Sequence, residues 1–557
     1  MNITTMAIER NAALLNAIIQ NPGNYANWGV QGQGWICFPG SVTQLNDTNA
    51  GVVVESPAAD LFVETTTGSS FVIGDDKDRA TFEHDGLKLS VIPITPALIY
   101  ELTDHHYAWA KPKPIGSDKP SFGWGNRTQF STQAVLASAG AYESADAVNQ
   151  VTAQNSIREN QILERFLGMK IVMTDALLGK IKVGFRGLTG SDADHLKSEA
   201  ELDEAIGAGF TGFTLDPSGI LSQTPGVVID GTEQTIDVLA DSPQLDEMYA
   251  AACERNAIAT DYIQRSTTLL EGAFAWISCG DGKRDAALIK AVAVKYSDSW
   301  SFMARCYNHI ADSLGSKDFD FESSFDETAY RTQYLSHLLT AMEVTNRGAK
   351  ITRFAVKYVG RFEKTTLWLA PDGQDEQAFK EDYANHQKIA DHFGYLQSVH
   401  SGSGKYNIYE YCPKMHLKTS GDISRPLMVA LAEHNFPVFC SLYKAMVNSA
   451  IDTKQLYGHV SSKSNDFPSL LNEDVAALGQ SEVVNRLQDD VVWRTFSHYA
   501  YGMFHQAAGT FRELVYNHRD TCAQNIVDVV HQHRNPAFQA HGLQTSSTAP
   551  ELKTQQG

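Results

Sequence analysis

The sequence of 557 residues lacks several features that define common classes of protein. It has no apolar run of about 18 residues, as a membrane span would need. Its first 20 residues have Glu9 and Arg10 before any long apolar stretch, which makes a poor signal peptide. It has no polybasic run, and its formal charge is −20, from 65 acidic and 45 basic residues. Because phosphate binding needs clustered Lys and Arg, we expect neither nucleic acid nor membrane as a partner.

Cysteine and several motifs of cofactor or hydrolytic chemistry are also scarce. The seven cysteines are widely spread and form no CxxC pair, so a disulfide framework or a structural zinc site is not expected. Free thiols in a reducing cytoplasm are the better interpretation. The fingerprint GxGxxG does not follow a strand, so a bound nicotinamide is not expected. The motifs GxxxxGK[ST], GxSxG and HExxH are absent as well.

The texture of the chain changes after the first 115 residues. Residues 1–115 contain short β-type segments separated by Gly, Asn, Asp and Pro, and residues 110–120 read as a linker. Beyond them, helical and strand-like segments alternate. Repeated helix–glycine–strand units predict an α/β fold resembling a (β/α)8 TIM barrel with helical embellishments. We expect a smaller β-rich N-terminal region (1–115), a barrel-like catalytic domain (116–535) and a disordered tail (536–557).

Ionisable residues stand where several strands are predicted to end. They are Asp194, His195, Glu322, Glu363 and His400. Carboxylates and imidazoles that converge from several strand ends are what a metal-assisted enzyme on an α/β scaffold needs. Taken singly, each has a plainer interpretation. The Asp-His pair is more often a helix start with a solvated histidine, and Glu363 is equally compatible with a surface charge.

The segment FDFESSFDET combines charge with alternating phenylalanines. Phe319, Phe321 and Phe325 predict a strand with one buried face, which places Glu322 and Asp326 together on the other side. The alternative is a solvated run of charge, the usual meaning of such a stretch.

The segment HSGSGK follows a strand-like run. Gly402 and Gly404 would let backbone N–H groups approach a ligand closely, with Lys405 nearby for an anion or a hydroxyl. The alternative is a Gly/Ser turn in which His400 is incidental.

Eight segments, in their order and approximate spacing, resemble the tagaturonate/fructuronate epimerase family. The resemblance covers roughly residues 120–535 and rests on SFGWGNR, QNSIREN, SDADHLK, GFTGFTLDPS, FESSFDET, VGRFEK, HFGYLQSVHSGSGK and HLKTSG. It implies an isomerase of carbohydrate metabolism on a barrel-like scaffold. Such an enzyme interconverts D-tagaturonate and D-fructuronate by inverting the alcohol two carbons beyond the ketone.

The resemblance also implies roles for individual residues. Asp194 is expected to act as proton acceptor and Glu322 as proton donor. His195, His400 and Glu363 are expected to hold a divalent metal cation. Two imidazoles and one carboxylate suit Zn, Mn, Fe, Co or Ni about equally.

The substrate needs further contacts, and two departures from the family pattern bear on its identity. We expect Arg158, Asp326 and Lys405 to bind the keto-sugar or keto-uronate. Arg127, Lys357 and Lys418 are further cations available to bind a substrate carboxylate. Gly404 stands where family members commonly have Asp, and Gly219 where relatives tend to have a polar or acidic residue. Such changes would relax the preference for a uronate and admit tagatose or fructose.

The position of the inverted carbon restricts the mechanism. Its C–H is not adjacent to the ketone, so direct deprotonation would be very costly. We therefore expect retro-aldol cleavage and re-formation through a metal-stabilised enediolate. A metal-dependent aldolase would share the metal ligands but release its fragments. A non-catalytic sugar-binding protein would not need the acid–base pair.

Overall fold

The computed structural model of the chain describes residues 30–31, 35–56, 59–74, 79–84, 87–124, 149–156, 169–221, 223–229, 231–362, 367–400, 402, 404–412, 414–419, 421–453, 474–488 and 516. Two predicted site residues, Arg158 and Glu363, lie outside these ranges. So does the predicted disordered tail.

The N-terminal part of the described chain forms an antiparallel sheet, as its β-rich texture predicted. Its strands are β1 (Val30–Gln31), β2 (Ile36–Cys37), β3 (Thr43–Gln44), β4 (Asn49–Glu55), β5 (Asp60–Thr66), β6 (Ala80–His84) and β7 (Leu87–Pro93). The sheet order is β1-β2-β4-β5-β7-β6, with β3 beside β4. The central pair β4 and β5 is buried almost throughout, which explains why GVVV and LFV read as continuous apolar runs.

Ten further strands follow in the described chain. They are β8 (Ser121–Trp124), β9 (Asn149–Ser156), β10 (Thr189–Leu196), β11 (Gly212–Leu215), β12 (Val228–Ile229), β13 (Thr232–Glu233), β14 (Asp320–Ser324), β15 (Arg353–Ala355), β16 (Leu396–Val399) and β17 (Met415–Thr419). Strands β12 and β13 make a small hairpin. The other eight pair in parallel in the order β8-β9-β10-β11-β14-β15-β16-β17, and β17 returns to β8. The α/β class and the curled parallel sheet are therefore confirmed.

The helices of the described chain mostly connect these strands. They are α1 (Pro96–His105), α2 (Met169–Val183), α3 (Glu199–Gly207), α4 (Ser218–Leu221), α5 (Ile236–Ala240), α6 (Leu245–Asn256), α7 (Tyr262–Glu271), α8 (Gly282–Leu314), α9 (Tyr334–Asn346), α10 (Glu376–Phe393), α11 (Gly421–His434), α12 (Phe436–Thr453), α13 (Val475–Leu478) and α14 (Gln480–Gln488). Between β16 and β17 the described residues contain only the short 3₁₀ turn Tyr409–Tyr411. The expected set of eight regular β/α units is thus not established.

Local sequence signals account for several helix ends. Helix α3 begins with a capping box between Ser198 and Glu201. The Asp375 side chain accepts a hydrogen bond from the first turn of α10. That helix ends at Gly394, whose φ of 79° is the left-handed conformation that glycine adopts readily. The helical spacing of apolar residues in EQAFKEDYANHQKIADHFG predicts this helix with a glycine just after its last turn, and the structure confirms both.

Strand β14 is oriented by its aromatic face. The Tyr307 ring on α8 packs against Phe319 and Phe321, with ring centroids 4.9 and 5.2 Å apart. Because side chains alternate along a strand, this packing turns Glu322 away from the helix and into the barrel. The alternating phenylalanines therefore determine which residues of the segment reach the interior.

None of the helices in the described ranges has the length and apolar character needed to cross a bilayer.

Candidate active site

A cluster of buried ionisable residues lies where the carboxyl ends of neighbouring barrel strands meet, the end of a parallel barrel where active sites are built. Strands β10, β11, β14 and β17 and the turn after β16 all contribute to it. Its buried members are Asp192, Asp194, His195, Asp216, Glu322, His400 and Lys418, and the half-buried Asp326 adjoins them.

The ammonium of Lys418 lies at the centre of the carboxylates. Its Nζ is 2.7 Å from Asp194 Oδ1, 2.8 Å from Asp192 Oδ2, 3.1 Å from Glu322 Oε1 and 2.8 Å from Thr214 Oγ1. Burial alone would lower the pKa of Lys418, but the three carboxylates raise it well above its usual range. The carboxylates therefore favour the charged form of this side chain.

The two proposed acid–base carboxylates respond to the same ammonium. Burial opposes ionisation of Asp194, but Lys418 and His195 hold the pKa of its carboxyl below the usual range. For Glu322 burial again acts against ionisation, but Lys418 and His400 hold the pKa well below its usual range. The surroundings of both groups therefore favour the carboxylate form, and Glu322 Oε2 is buried without a hydrogen-bond partner among the described residues.

His400 contacts a carboxylate through each ring nitrogen. Its Nε2 lies 2.5 Å from Glu322 Oε1, and its Nδ1 lies 3.1 Å from Asp326 Oδ2. The hydroxyl of Ser324 donates to the other oxygen of Asp326 at 2.6 Å. Burial disfavours a charged imidazole here, but Asp326 and Glu322 raise the pKa of His400 to about 9. The surroundings of this ring therefore stabilise positive charge.

His195 reaches the site through an irregular strand end. In a regular strand Asp194 and His195 would point to opposite faces. The pairing of β10 with β11 shifts between Ala193 and Leu196, and His195 has a φ of 57°. That left-handed conformation costs on the order of 1–2 kcal/mol for a residue with a Cβ. The distortion lets both adjacent side chains enter the barrel mouth.

His195 is held in place by a carboxylate from the next strand. Its Nδ1 lies 3.2 Å from Oδ2 of Asp216, the residue that directly follows β11. Asp216 also accepts a hydrogen bond from the backbone N–H of Ser218 at 2.9 Å and lies 3.3 Å from Lys197 Nζ. Although burial works against ionisation, the contact with His195 holds the pKa of Asp216 well below its usual range.

The donor set fits a divalent metal cation. One donor atom from each of Asp194, His195 and His400 lies within 4.8 Å of the others. Each imidazole presents Nδ1 to a carboxylate, Asp216 or Asp326, and its Nε2 to the interior of the cluster. Histidine ligands of metals are typically held in this way. Among the described residues Asp194 supplies the carboxylate of this donor group, because Glu363 lies outside them.

Gly402 does not have the role that its sequence suggested. Its backbone N–H donates to the Lys418 carbonyl at 2.9 Å, so it is not available to a ligand. A Cβ at Gly402 would lie 2.1 Å from Leu417 Cδ1. Gly402 is therefore needed for close packing of the turn against β17. Gly404 has a φ of 76°, and the neighbouring Lys405 is buried.

Sequence reasoning missed Asp192 and Asp216 and left Lys418 as one of several available cations. The motif SDADHL carried a signal for the first, because Asp192 and Asp194 are two apart and share a face of β10. Asp216 directly follows β11 and could have been noted as another ionisable strand end. The position of Lys418 between carboxylates has no local signal.

The chain is similar to known epimerases over most of its length. Residues 38–537 match the tagaturonate epimerase family. The tagaturonate/fructuronate epimerase of Thermotoga maritima is 27% identical over 400 residues, which cover 70% of this chain and 74% of that protein.

Solved structures of the fructuronate-tagaturonate epimerase from Cohnella laeviribosi are similar at 21% identity. Its native structure gives a TM-score of 0.69, covering 97% of this chain and 100% of that one. A complex of the same enzyme with one glycerol gives 0.68, covering 91% and 96%. At this identity the structures establish a common fold. The match along 38–537 goes further, because it spans most of the sequence, and the chain therefore belongs to the tagaturonate epimerase family.

Proposed function

We propose that the protein is a metal-dependent C4-epimerase that interconverts D-tagaturonate and D-fructuronate. Epimerase activity, and hence the isomerase class, is supported by the family and by the Thermotoga maritima relative. The observation that carries the proposal is the pair of carboxylates Asp194 and Glu322 gathered beside two imidazoles in one buried cluster.

The chemistry of the inverted carbon calls for a base and an acid on either side of a bond cleavage. Asp194, as a carboxylate, accepts the carbinol O–H proton as the bond to the neighbouring carbon breaks. The aldehyde fragment then turns, and the bond re-forms on its other face. Glu322, which takes up a proton from solvent as the substrate binds, delivers that proton to the new alkoxide, and Asp194 returns its proton to solvent to close the cycle. The reverse reaction exchanges the two roles.

His195 and His400 would hold the divalent cation, with Glu363 as the expected third ligand. The bound cation would supply Lewis-acid stabilisation of negative charge on the oxygens of the ketone fragment. Asp216 and Asp326 support this role because each lies against Nδ1 of one imidazole. Asp326, expected from the sequence as a substrate contact, is thus better placed to orient His400. Arg158 and Lys405 stay predicted substrate contacts.

We also propose that the enzyme acts on tagatose and fructose. A Cβ at Gly219 would meet nothing within 4 Å, so this position leaves room that a larger side chain would fill. Gly404 lacks the carboxylate expected at that position in the family. Two smaller, uncharged positions near the site suit a neutral ketohexose beside the uronate.

The scaffold that we propose is a variant (β/α)8 barrel in a catalytic domain of residues 116–535, in a cytoplasmic enzyme. The seven-stranded sheet would belong to a separate N-terminal region of residues 1–115.

NMR of the metal-reconstituted protein in D2O tests the function, with D-tagaturonate and D-tagatose supplied separately. Conversion to the C4 epimer without deuterium at the inverted carbon is the expected result. Deuterium at that carbon would exclude the retro-aldol route. Accumulation of three-carbon products would identify an aldolase instead, and binding without any conversion would identify a sugar-binding protein.

A further inference from the structure

Lys418 contacts both proposed acid–base groups directly. It lies in β17, and it joins Asp192 and Asp194 of β10 to Glu322 of β14 across the barrel. Its side chain is 4% exposed. An ammonium has three N–H donors, and four acceptors already surround this one. Lys418 is therefore not available to bind a carboxylate of the substrate.

The ammonium also lies within a second group of metal-type donors. Single donor atoms of Asp192, Glu322 and His416 lie within 4.8 Å of one another. Lys418 Nζ is already 2.8 Å from the first of these carboxylates and 3.1 Å from the second. A second metal ion there would have to displace a buried ammonium with three carboxylate partners. The cationic position between these carboxylates is thus filled by the protein's own side chain.

The contacts with Lys418 divide the oxygens of each acid–base group. In Glu322 both Lys418 and His400 approach Oε1, and Oε2 has no hydrogen-bond partner among the described residues. In Asp194 the ammonium approaches Oδ1, while Oδ2 lies on the side of His195, 3.8 Å from its Nε2. In each carboxylate, Lys418 holds one oxygen, and the second oxygen is not the one that this ammonium contacts.

We propose that Lys418 is a positioning residue for the epimerase reaction. It anchors Asp194 Oδ1 and Glu322 Oε1 on one ammonium, so that Asp194 Oδ2 and Glu322 Oε2 face the substrate. The inference rests on the proposed function, because it assigns Lys418 to the same acid–base pair. It adds that the orientation of the pair depends on one fixed cation, which holds the metal count at a single ion per chain.

Chemical rescue of Lys418→Ala tests the inference. We expect kcat for D-tagaturonate to fall about 10²-fold or more, the scale of losing well-placed acid–base groups, with KM nearly unchanged. Methylammonium or ethylammonium should restore part of the activity by occupying the vacated position, while tetramethylammonium, which has no N–H donor, should not. Metal content, measured by plasma mass spectrometry, should stay at one ion per chain with the amine present.

Lys182→Ala is the matched control. Lys182 is also a buried lysine with two carboxylate partners, Glu55 Oε2 at 2.9 Å and Asp60 Oδ1 at 2.5 Å. It joins α2 to the N-terminal sheet and lies outside the barrel cluster. Removing it should lower stability without an effect that amines rescue.

If Lys418→Ala does not fold, Lys418→Met combined with Asp192→Asn removes one charge of each sign and keeps the side-chain volume. This double variant should fold with its metal and still lose kcat. Near-normal kcat in either folded variant overturns the positioning role. A loss that amines do not rescue, accompanied by loss of metal, overturns it as well. An unmodified protein that converts neither sugar would refute the proposed function itself, and the two failures are therefore distinguishable.

Discussion

The imidazole rings of His195 and His400 meet edge to face, with centroids 5.1 Å apart and an interplanar angle of 88°. His195 belongs to β10 and His400 to the turn after β16, and the two are 205 positions apart in the sequence. Each is held at Nδ1 by a carboxylate that belongs to another part of the barrel mouth, Asp216 or Asp326. Asp216 and Asp326 therefore hold the two rings at Nδ1, and the Nε2 atoms are directed into the carboxylate cluster.

Asp194→Asn is expected to abolish epimerisation while the bound metal is retained. The amide cannot accept the carbinol proton, and kcat should fall by about 10²–10⁴-fold, the usual contribution of a general base. The measurement combines turnover by NMR with metal content. Loss of the metal together with turnover would instead show that Asp194 is a ligand, a role that its place in the donor group with His195 and His400 makes testable.

Asp216→Asn and Asp326→Asn are expected to weaken metal binding without removing a ligand. Carboxylates that orient histidine ligands typically contribute about 10–100-fold to metal affinity. Chelator competition followed by calorimetry would measure the change in the dissociation constant. The matched control is Asp203→Asn, because Asp203 bonds His309 Nε2 at 2.7 Å on the exterior of the protein. Equal affinities in all three variants would show that the contacts at Nδ1 do not support a metal site.

The local parts of this site could be predicted from the sequence, but the parts that depend on long-range contacts could not. Alternation along FDFESSFDET correctly grouped Glu322 with Asp326, and both approach His400. The adjacent pair Asp194 and His195 was different. Strand periodicity alone would separate the two side chains, and only the shifted pairing of β10 with the positive φ of His195 brings both inside.

In the fold, too, local features could be predicted from the sequence, but features that depend on long-range contacts could not. Gly394 and the helical spacing before it predicted α10 because caps and periodicity are local properties. A regular (β/α)8 barrel would have a helix between β16 and β17, but the described residues of this connection contain only a 3₁₀ turn. Nor does any local pattern place Lys418 within reach of Asp192, because the two are brought together only when the barrel closes.

Gly402→Ala is expected to disturb β17 at the site. The added Cβ would lie 2.1 Å from Leu417 Cδ1 and 3.0 Å from the Lys418 carbonyl oxygen. Overpacking of this kind typically costs about 1–3 kcal/mol of unfolding free energy, and here it also displaces the backbone of Lys418. The free energy of unfolding, measured by urea denaturation, and kcat should both be lower than in the unmodified protein. Gly282→Ala is the control, since a Cβ there meets nothing within 4 Å; an equal loss of activity in both variants would contradict the packing argument.

A buried histidine pair away from the active site is expected to make the protein sensitive to acid. His337 Nδ1 and His386 Nδ1 lie 2.9 Å apart, and the Tyr395 hydroxyl lies 2.7 Å from His337 Nε2. Burial lowers the pKa of His386 to about 3 and the pKa of His337 well below its usual range. Asp382 Oδ1 lies 3.6 Å from His386 Nε2, but this carboxylate is engaged by Arg331.

The direction of the pH effect follows from these lowered pKa values. The unfolded chain binds a proton at each histidine near pH 6.5, whereas the folded protein keeps both neutral. Stability is therefore complete above about pH 6.5 and declines as the pH falls toward the folded-state values. Each histidine should remove about 1.4 kcal/mol of unfolding free energy between pH 7.5 and 5.5. His386→Leu should make this decline smaller by that amount, as measured by urea denaturation at the two pH values. Tyr395→Phe keeps both imidazoles, so it should lower stability at both pH values while preserving the difference between them. An unchanged difference in His386→Leu would show that this pair does not cause the sensitivity to acid.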